Sequence, residues 1–167
     1  VRMHGAEALE PGLTVAVCQE IAGLLVGAGA DALHISAYTL PINKAITGMV
    51  RIRVGGAPLK DTPPGPLLPY AAAIKAAVRV PVIAVGKLDD PTVAAGAVAE
   101  GKCDMVALAR QLLCDPYWPR KVQNGQADEI IHCKYCMTCH TAQQRGEDIH
   151  CSQNRNLFEE PSYSSRT

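Results

Sequence analysis

Along residues 1–122, short apolar runs alternate with stretches of helical spacing, the signature of repeated β/α units over a parallel sheet. Val1-Arg2-Met3 reads as a strand end. After a Pro11-Gly12 turn, Thr14 can cap a helix whose apolar positions Val17, Ile21, Leu24 and Leu25 recur at helical spacing and which stops at Gly27 to Gly29. Ala32-Leu33-His34-Ile35-Ser36 follows as a buried strand. The polar loop from about Ala37 to Gly65 is too long for a plain connector and suggests a lid or substrate loop, with a disordered insertion as the alternative.

A helix over roughly Pro69 to Val78 leads into a third strand, Pro81 to Val85, which ends in Gly86-Lys87. Asp90-Pro91 supplies an N-cap and a first-turn proline for a helix ending at Gly101. The fourth strand is Asp104 to Ala109, with Arg110 and a short helical turn behind it. Four such units are half of an eight-stranded barrel. The expected class is therefore α/β, with half of a (β/α)8 barrel over residues 1–130 and a cysteine-rich segment over residues 131–167. Four units cannot close a barrel, and their outer strands would present unpaired edges.

Composition narrows the chemistry. The 167 residues have the length of one ordinary domain, and sixteen basic residues balance sixteen acidic ones, so nothing invites nucleic acid or an anionic membrane. The longest apolar stretch, Thr14 to Ser36, is broken by Gln19, Glu20 and Asp31 and does not suit a bilayer span. No secretion signal opens the chain, so a cytoplasmic protein is expected, and a start at Val1 suggests a fragment or a processed start.

Seven cysteines are an odd number for a disulfide framework, and four of them fall within nineteen residues. Cys133, Cys136 and Cys139 form C-x2-C-x2-C, and Cys151 follows after eleven intervening residues. Three close thiolates and one distant one suit a [4Fe–4S] cluster, in which each iron takes one thiolate. Tetrahedral zinc is the alternative, since His132, His140 and His150 lie nearby, although a second C-x2-C pair is missing. Cys18, Cys103 and Cys114 sit among apolar residues and read as small hydrophobes.

Two successive strands end in a small residue followed by a cation, Gly86-Lys87 and Ala109-Arg110. Barrel ligands sit at the C-terminal strand ends, and a phosphate can approach the backbone there while the cation neutralises it. Arg2, in the first strand, can face an electron-rich cofactor ring.

With these residues in view, the chain resembles the C-terminal half of the barrel in the old yellow enzyme class of NADH:flavin oxidoreductases. The likeness is to the iron–sulfur branch, which includes 2,4-dienoyl-CoA reductases and trimethylamine dehydrogenases. It rests on Pro81 through Pro91, on Asp104 through Pro116, and on the cysteine segment with Cys151-Ser152-Gln153-Asn154. The resemblance implies that FMN lies over the barrel mouth, with Arg2 near the flavin ring and Gly86, Lys87, Ala109 and Arg110 at its phosphate. It also implies a [4Fe–4S] cluster on Cys133, Cys136, Cys139 and Cys151 that exchanges single electrons with the FMN.

FAD and NAD(P)H are expected only through a downstream nucleotide-binding domain, and the other half of the flavin site through four preceding strands, so these residues alone are expected to be inactive. The implied activity is reduction of an activated C=C bond in a small-molecule substrate, an unsaturated thioester or acid. An amine dehydrogenase of the same fold is the alternative, and a zinc-stabilised binding module without flavin is the alternative from another class. No nucleic-acid or membrane partner is expected, and an oligomer is possible. Tyr38 stands near where relatives place a substrate-facing residue and is the candidate catalytic side chain of this half, with a packed or loop tyrosine as the structural alternative. Lys87 replaces the arginine usual in the dienoyl-CoA reductases, which keeps the charge and loses the bidentate fork. The third cysteine spacing is that of trimethylamine dehydrogenase, and the Ala37–Gly65 loop matches neither relative.

Overall fold

A computed structural model describes residues 1–7, 12–38 and 62–157, apart from the Tyr38 side chain. The chain divides into two compact units, Val1–Leu108 and Ala109–Thr167. Most of the Ala37–Gly65 loop lies outside the described residues.

The first unit is a four-stranded parallel sheet in sequential order. Its strands are β1 (Arg2–Glu7), β2 (Leu33–Tyr38), β3 (Val82–Val85) and β4 (Met105–Ala107), and the helices between them are α1 (Val15–Gly27), α2 (Leu68–Ala77) and α3 (Pro91–Ala99). The helix starts follow from their caps. Thr14 accepts the Val17 N–H, and Asp90 accepts those of Thr92 and Val93 ahead of Pro91. The N–H groups of Gly101 and Lys102 fold back onto the carbonyls of Val98 and Ala97 and close α3.

Cross-strand register sorts the side chains into two faces, because paired residues of parallel strands point the same way. Met3, Ile35, Ala84 and Val106 are partners in one row, and this row packs with Leu33, Val82, Cys18, Ala22, Ala71 and Ile74 in the core under the helices. Arg2, His34, Ile83 and Met105 form a row on the opposite face.

β1 does not stop near Met3 as the sequence pattern suggests but runs to Glu7, with a register shift between His4 and Glu7. Gly5 explains how the longer strand packs. A Cβ there would stand 2.7 Å from Tyr70 Cβ and 2.8 Å from Ile35 Cγ2, so only glycine lets α2 approach the strand. β4 is shorter than expected, and Ala109 already has helical backbone. Asp104 sits just before β4, accepting the Val82 N–H at 2.7 Å and pairing with Lys75 at 2.7 Å.

The second unit holds α4 (Arg110–Cys114), α5 (Trp118–Gln123), a 3-10 turn at Ala127–Glu129, and α6 (Thr138–Arg145). Its polar core is unusual for so short a segment: Gln111 and Asp115 are 3% and 2% exposed. A buried polar side chain must be bonded to persist, and both spend their atoms on the chain that leads into the cysteines. Among the described residues no helix is long and apolar enough to cross a membrane.

Candidate functional site

α4 acts as the anvil for the cysteine segment. Gln111 and Asp115 are four residues apart and therefore share a helix face. Asp115 accepts the Ile131 N–H at 2.9 Å, Gln111 Nε2 donates to the Ile131 carbonyl at 2.9 Å, and Gln111 Oε1 accepts the Cys133 N–H at 3.0 Å. These are the groups that a neighbouring strand would otherwise satisfy. Asp115 is held in turn by Lys121 Nζ at 2.7 Å and by the Tyr117 N–H at 3.1 Å. Burial alone would raise its pKa, but Lys121 and the two backbone donors outweigh burial and keep the carboxyl below its ordinary value.

The second cysteine-bearing strand of chain is tied to the other end of α4. Asn154 Nδ2 donates to the Leu113 carbonyl at 3.0 Å, three residues after Cys151. The result is that Cys133, Cys136, Cys139 and Cys151 line one shallow, open hollow, together with Arg110 and Ser152. None of His132, His140 and His150 lines it. Among the described residues, no three His, Cys, Asp or Glu side chains form a group placed to hold a metal ion.

Two backbone features around Cys136 were not visible in the sequence. Tyr135 and Met137 both have positive φ, 53° and 62°, although neither is glycine. Left-handed backbone costs an L-residue roughly 1–2 kcal/mol, and successive N–H groups in alternating conformation form a concave nest that suits anions, including iron–sulfur clusters. Met137 then precedes the first residue of α6. Cys136 Sγ lies 3.1 Å from Ser152 Oγ and 3.2 Å from Thr138 Oγ1. Bonds from Ser152, then from the Thr138 hydroxyl and backbone, bring its pKa down to about 7. Cys133 Sγ accepts the Tyr135 N–H at 3.4 Å.

Cys114 is buried as its apolar surroundings suggest, and it also neighbours two of the candidate ligands. It is buried, as are Cys18 and Cys103, but it stands beside Cys151 and Cys133 and bonds the Ile131 carbonyl at 3.4 Å. Burial first, and then the two neighbouring thiols, push its own thiol up to about 12.

The expected flavin contacts are distributed over the two units. Arg2 stands on the sheet face opposite the helices, its guanidinium 3.4 Å from Ser36 Oγ. In the same row the His34 Nε2 is buried with no hydrogen-bond partner among the described residues, and burial, followed by the charges of Arg2 and the N-terminus, lowers the ring pKa. Tyr38 closes β2, and its side chain lies outside the described residues.

Gly86 and Lys87 both have positive φ, 111° and 50°. Lys87 donates to the Thr62 carbonyl, and its own carbonyl accepts the Gly65 N–H at 2.9 Å. A non-glycine residue held in this way at a strand end is the kind of strain that marks functional positions. Ala109 and Arg110 belong to the second unit. The Arg110 guanidinium lies 4.8 Å above the Tyr135 ring centroid, and its Nη1 is 3.3 Å from Met137 Sδ. Its charge is thus spent in part on the two left-handed residues of the cysteine loop.

Comparison with known proteins shows which family the chain is related to. Residues 62–129 match the NADH:flavin oxidoreductase / NADH oxidase family. An NADH oxidase of Thermoanaerobacter brockii is 33% identical over 135 residues, 81% of this chain and 19% of its own length. The chain belongs to the old yellow enzyme-like NADH:flavin oxidoreductase family. A cinnamate reductase of Clostridium sporogenes is 34% identical over 59% of this chain and 15% of its own length. The solved complex of 2-naphthoyl-CoA reductase with 2-naphthoyl-CoA superposes on 93% of this chain and 22% of that one, with a TM-score of 0.78 and 26% identity. The fold is accordingly that of part of a TIM-barrel oxidoreductase. The chain spans about a fifth of the length of the relatives it matches.

Proposed function

We propose that this chain is the cluster-bearing part of an FMN- and [4Fe–4S]-dependent oxidoreductase that reduces an activated C=C bond, with an unsaturated thioester or acid as substrate. The observation that carries the reading is the convergence of Cys133, Cys136, Cys139 and Cys151 on one hollow. The donor set suits a cluster rather than a single metal ion, which no three of these side chains are placed to hold: it offers one thiol for each iron, with no histidine among the lining residues and left-handed backbone on both sides of Cys136. A zinc module draws support from the four thiols alone, whereas family membership supplies an independent reason for redox chemistry.

When bound, the flavin supplies hydride chemistry and the cluster supplies single-electron transfer. The chain's own residues do the rest. Gly86 and Lys87 at the end of β3, and Ala109 and Arg110 at the start of α4, are the proposed contacts for the FMN phosphate. Arg2 is the proposed contact for its ring, where a fixed cation favours the electron-rich form. Ser152 and Thr138 favour the thiolate of Cys136, the form in which cysteine serves as a ligand. FAD and the nicotinamide nucleotide are proposed to act through further parts of the whole protein. The names of the cinnamate and 2-naphthoyl-CoA reductases favour the C=C substrate class.

Anaerobic reconstitution with iron and sulfide tests the reading. The expected result is about four irons and four sulfides per chain, with a broad brown absorption that bleaches on oxidation. Cys151→Ser should lose the cluster or leave a three-iron species. Stoichiometric zinc without iron would overturn it. In the whole FMN-loaded protein of which this chain is proposed to be a part, turnover of an unsaturated thioester but not of an alkylamine supports the C=C class, and the reverse result assigns an amine dehydrogenase of the same fold.

A further inference from the structure

The side chain of Gln111 spends both ends of its amide within the second unit, and both ends act on the approach to the first cysteine. A glutamine that is 3% exposed in a five-residue helix gains little from helix propensity and loses water completely. Its burial is compensated only because Nε2 meets the Ile131 carbonyl and Oε1 meets the Cys133 N–H. The two bonds fix successive peptide groups on one side of an extended segment, and so fix the direction in which the Cys133 side chain leaves the backbone. They also occupy the Cys133 N–H. An N–H beside a metal thiolate is otherwise a donor to sulfur, and hydrogen bonds to sulfur are among the features that set a cluster's reduction potential.

We propose that Gln111 is a positioning residue for the Cys133 thiolate: its amide aims this ligand into the hollow and withholds the Cys133 N–H from the cluster sulfurs. The proposal rests on the reading given under Proposed function. Asp115 shares the work through the Ile131 N–H, but it touches no peptide group of Cys133. The two residues are thus separable. Lys121 offers the control, because it braces Asp115 and the Glu129 carbonyl without contact to either end of the Gln111 amide.

The test uses the protein reconstituted with iron and sulfide and then reduced. Gln111→Met keeps the side-chain length and removes both bonds. Its reduced cluster should show altered EPR g values, a midpoint potential shifted upward, and loss of iron to a chelator about tenfold faster, the equivalent of one lost hydrogen bond. Gln111→Glu keeps an oxygen for the Cys133 N–H and should retain native g values, although its added charge lowers the potential. Lys121→Met should lower the melting temperature and leave the g values unchanged.

A native EPR signal in Gln111→Met at full iron content would overturn the proposal, as would an equal change in Lys121→Met. If Gln111→Met fails to fold, Gln111→Glu decides, because altered g values there would assign the effect to the Ile131 bond instead. Absence of an iron–sulfur signal from the native protein would remove the functional reading itself, an outcome distinct from a native signal that ignores Gln111.

Discussion

Asn154 donates its side-chain amide to the carbonyl of Leu113 at 3.0 Å, across 41 residues of chain. Leu113 lies in the last turn of α4, where carbonyls have no partner within the helix. One side chain therefore satisfies a helix end and pins the segment that carries Cys151. Asn154→Ala should cost about 1 kcal/mol and speed the loss of iron from the reconstituted site. Thermal melts and iron release into a chelator read the two effects; a stability loss with native iron retention would separate Asn154 from the positioning of Cys151.

Cys136 should be the most readily alkylated of the four hollow-lining cysteines in the metal-free, reduced protein. Its pKa of about 7 means that about half of it is thiolate near neutrality, whereas an ordinary thiol titrates near 9. Peptide mapping after brief iodoacetamide treatment across a pH series should give a midpoint near 7 for this residue. Ser152→Ala removes the largest favourable contribution and should move the midpoint upward.

Asp115 should make the second unit sensitive to acid. Its folded pKa is lowered, so the stabilisation is fully present above the unfolded carboxyl value of about 4 and is lost as the pH falls through the folded value. Asp115→Asn should cost about 2 kcal/mol at pH 7, where charge-assisted bonds are lost. The gap between variant and native protein should narrow by about pH 3 in denaturant melts. A constant gap would mean that charge is not what the site uses.

Gly86→Ala should destabilise the end of β3 by more than about 1 kcal/mol, since alanine is strained at a φ of 111°. The added Cβ would also come within 3.0 Å of Leu67 Cδ1. Urea melts measure the loss, and FMN titration of the same variant should show weaker binding. Native stability would show that the β3 end relaxes freely.

Much of the fold was legible because its signals are local. Thr14 and Asp90-Pro91 mark helix starts by chemistry that acts within three residues, and the strand runs at Leu33 and Val82 show their burial by composition. The full length of β1 was not legible, because the contacts that use the missing Cβ of Gly5, with Ile35 and Tyr70, join residues far apart in sequence. The signal for Gln111 and Asp115 was present in weaker form: two polar residues one turn apart, beside the buried Cys114, need partners that no neighbour in sequence supplies.

By itself, then, the sequence determined the order of β/α units, the spacing of the four thiols and the balance of charge. Those properties depend on residue type and on separations of a few positions. Tertiary structure alone decided that Gln111 meets Ile131 and Cys133, that Cys114 backs onto Cys151, and that Arg110 lies over Tyr135. It also decided the left-handed backbone at Tyr135 and Met137, which neither residue type favours. These relationships join groups up to about forty residues apart or oppose local preference, so they arise only when the packed chain compensates the strain and desolvation they entail.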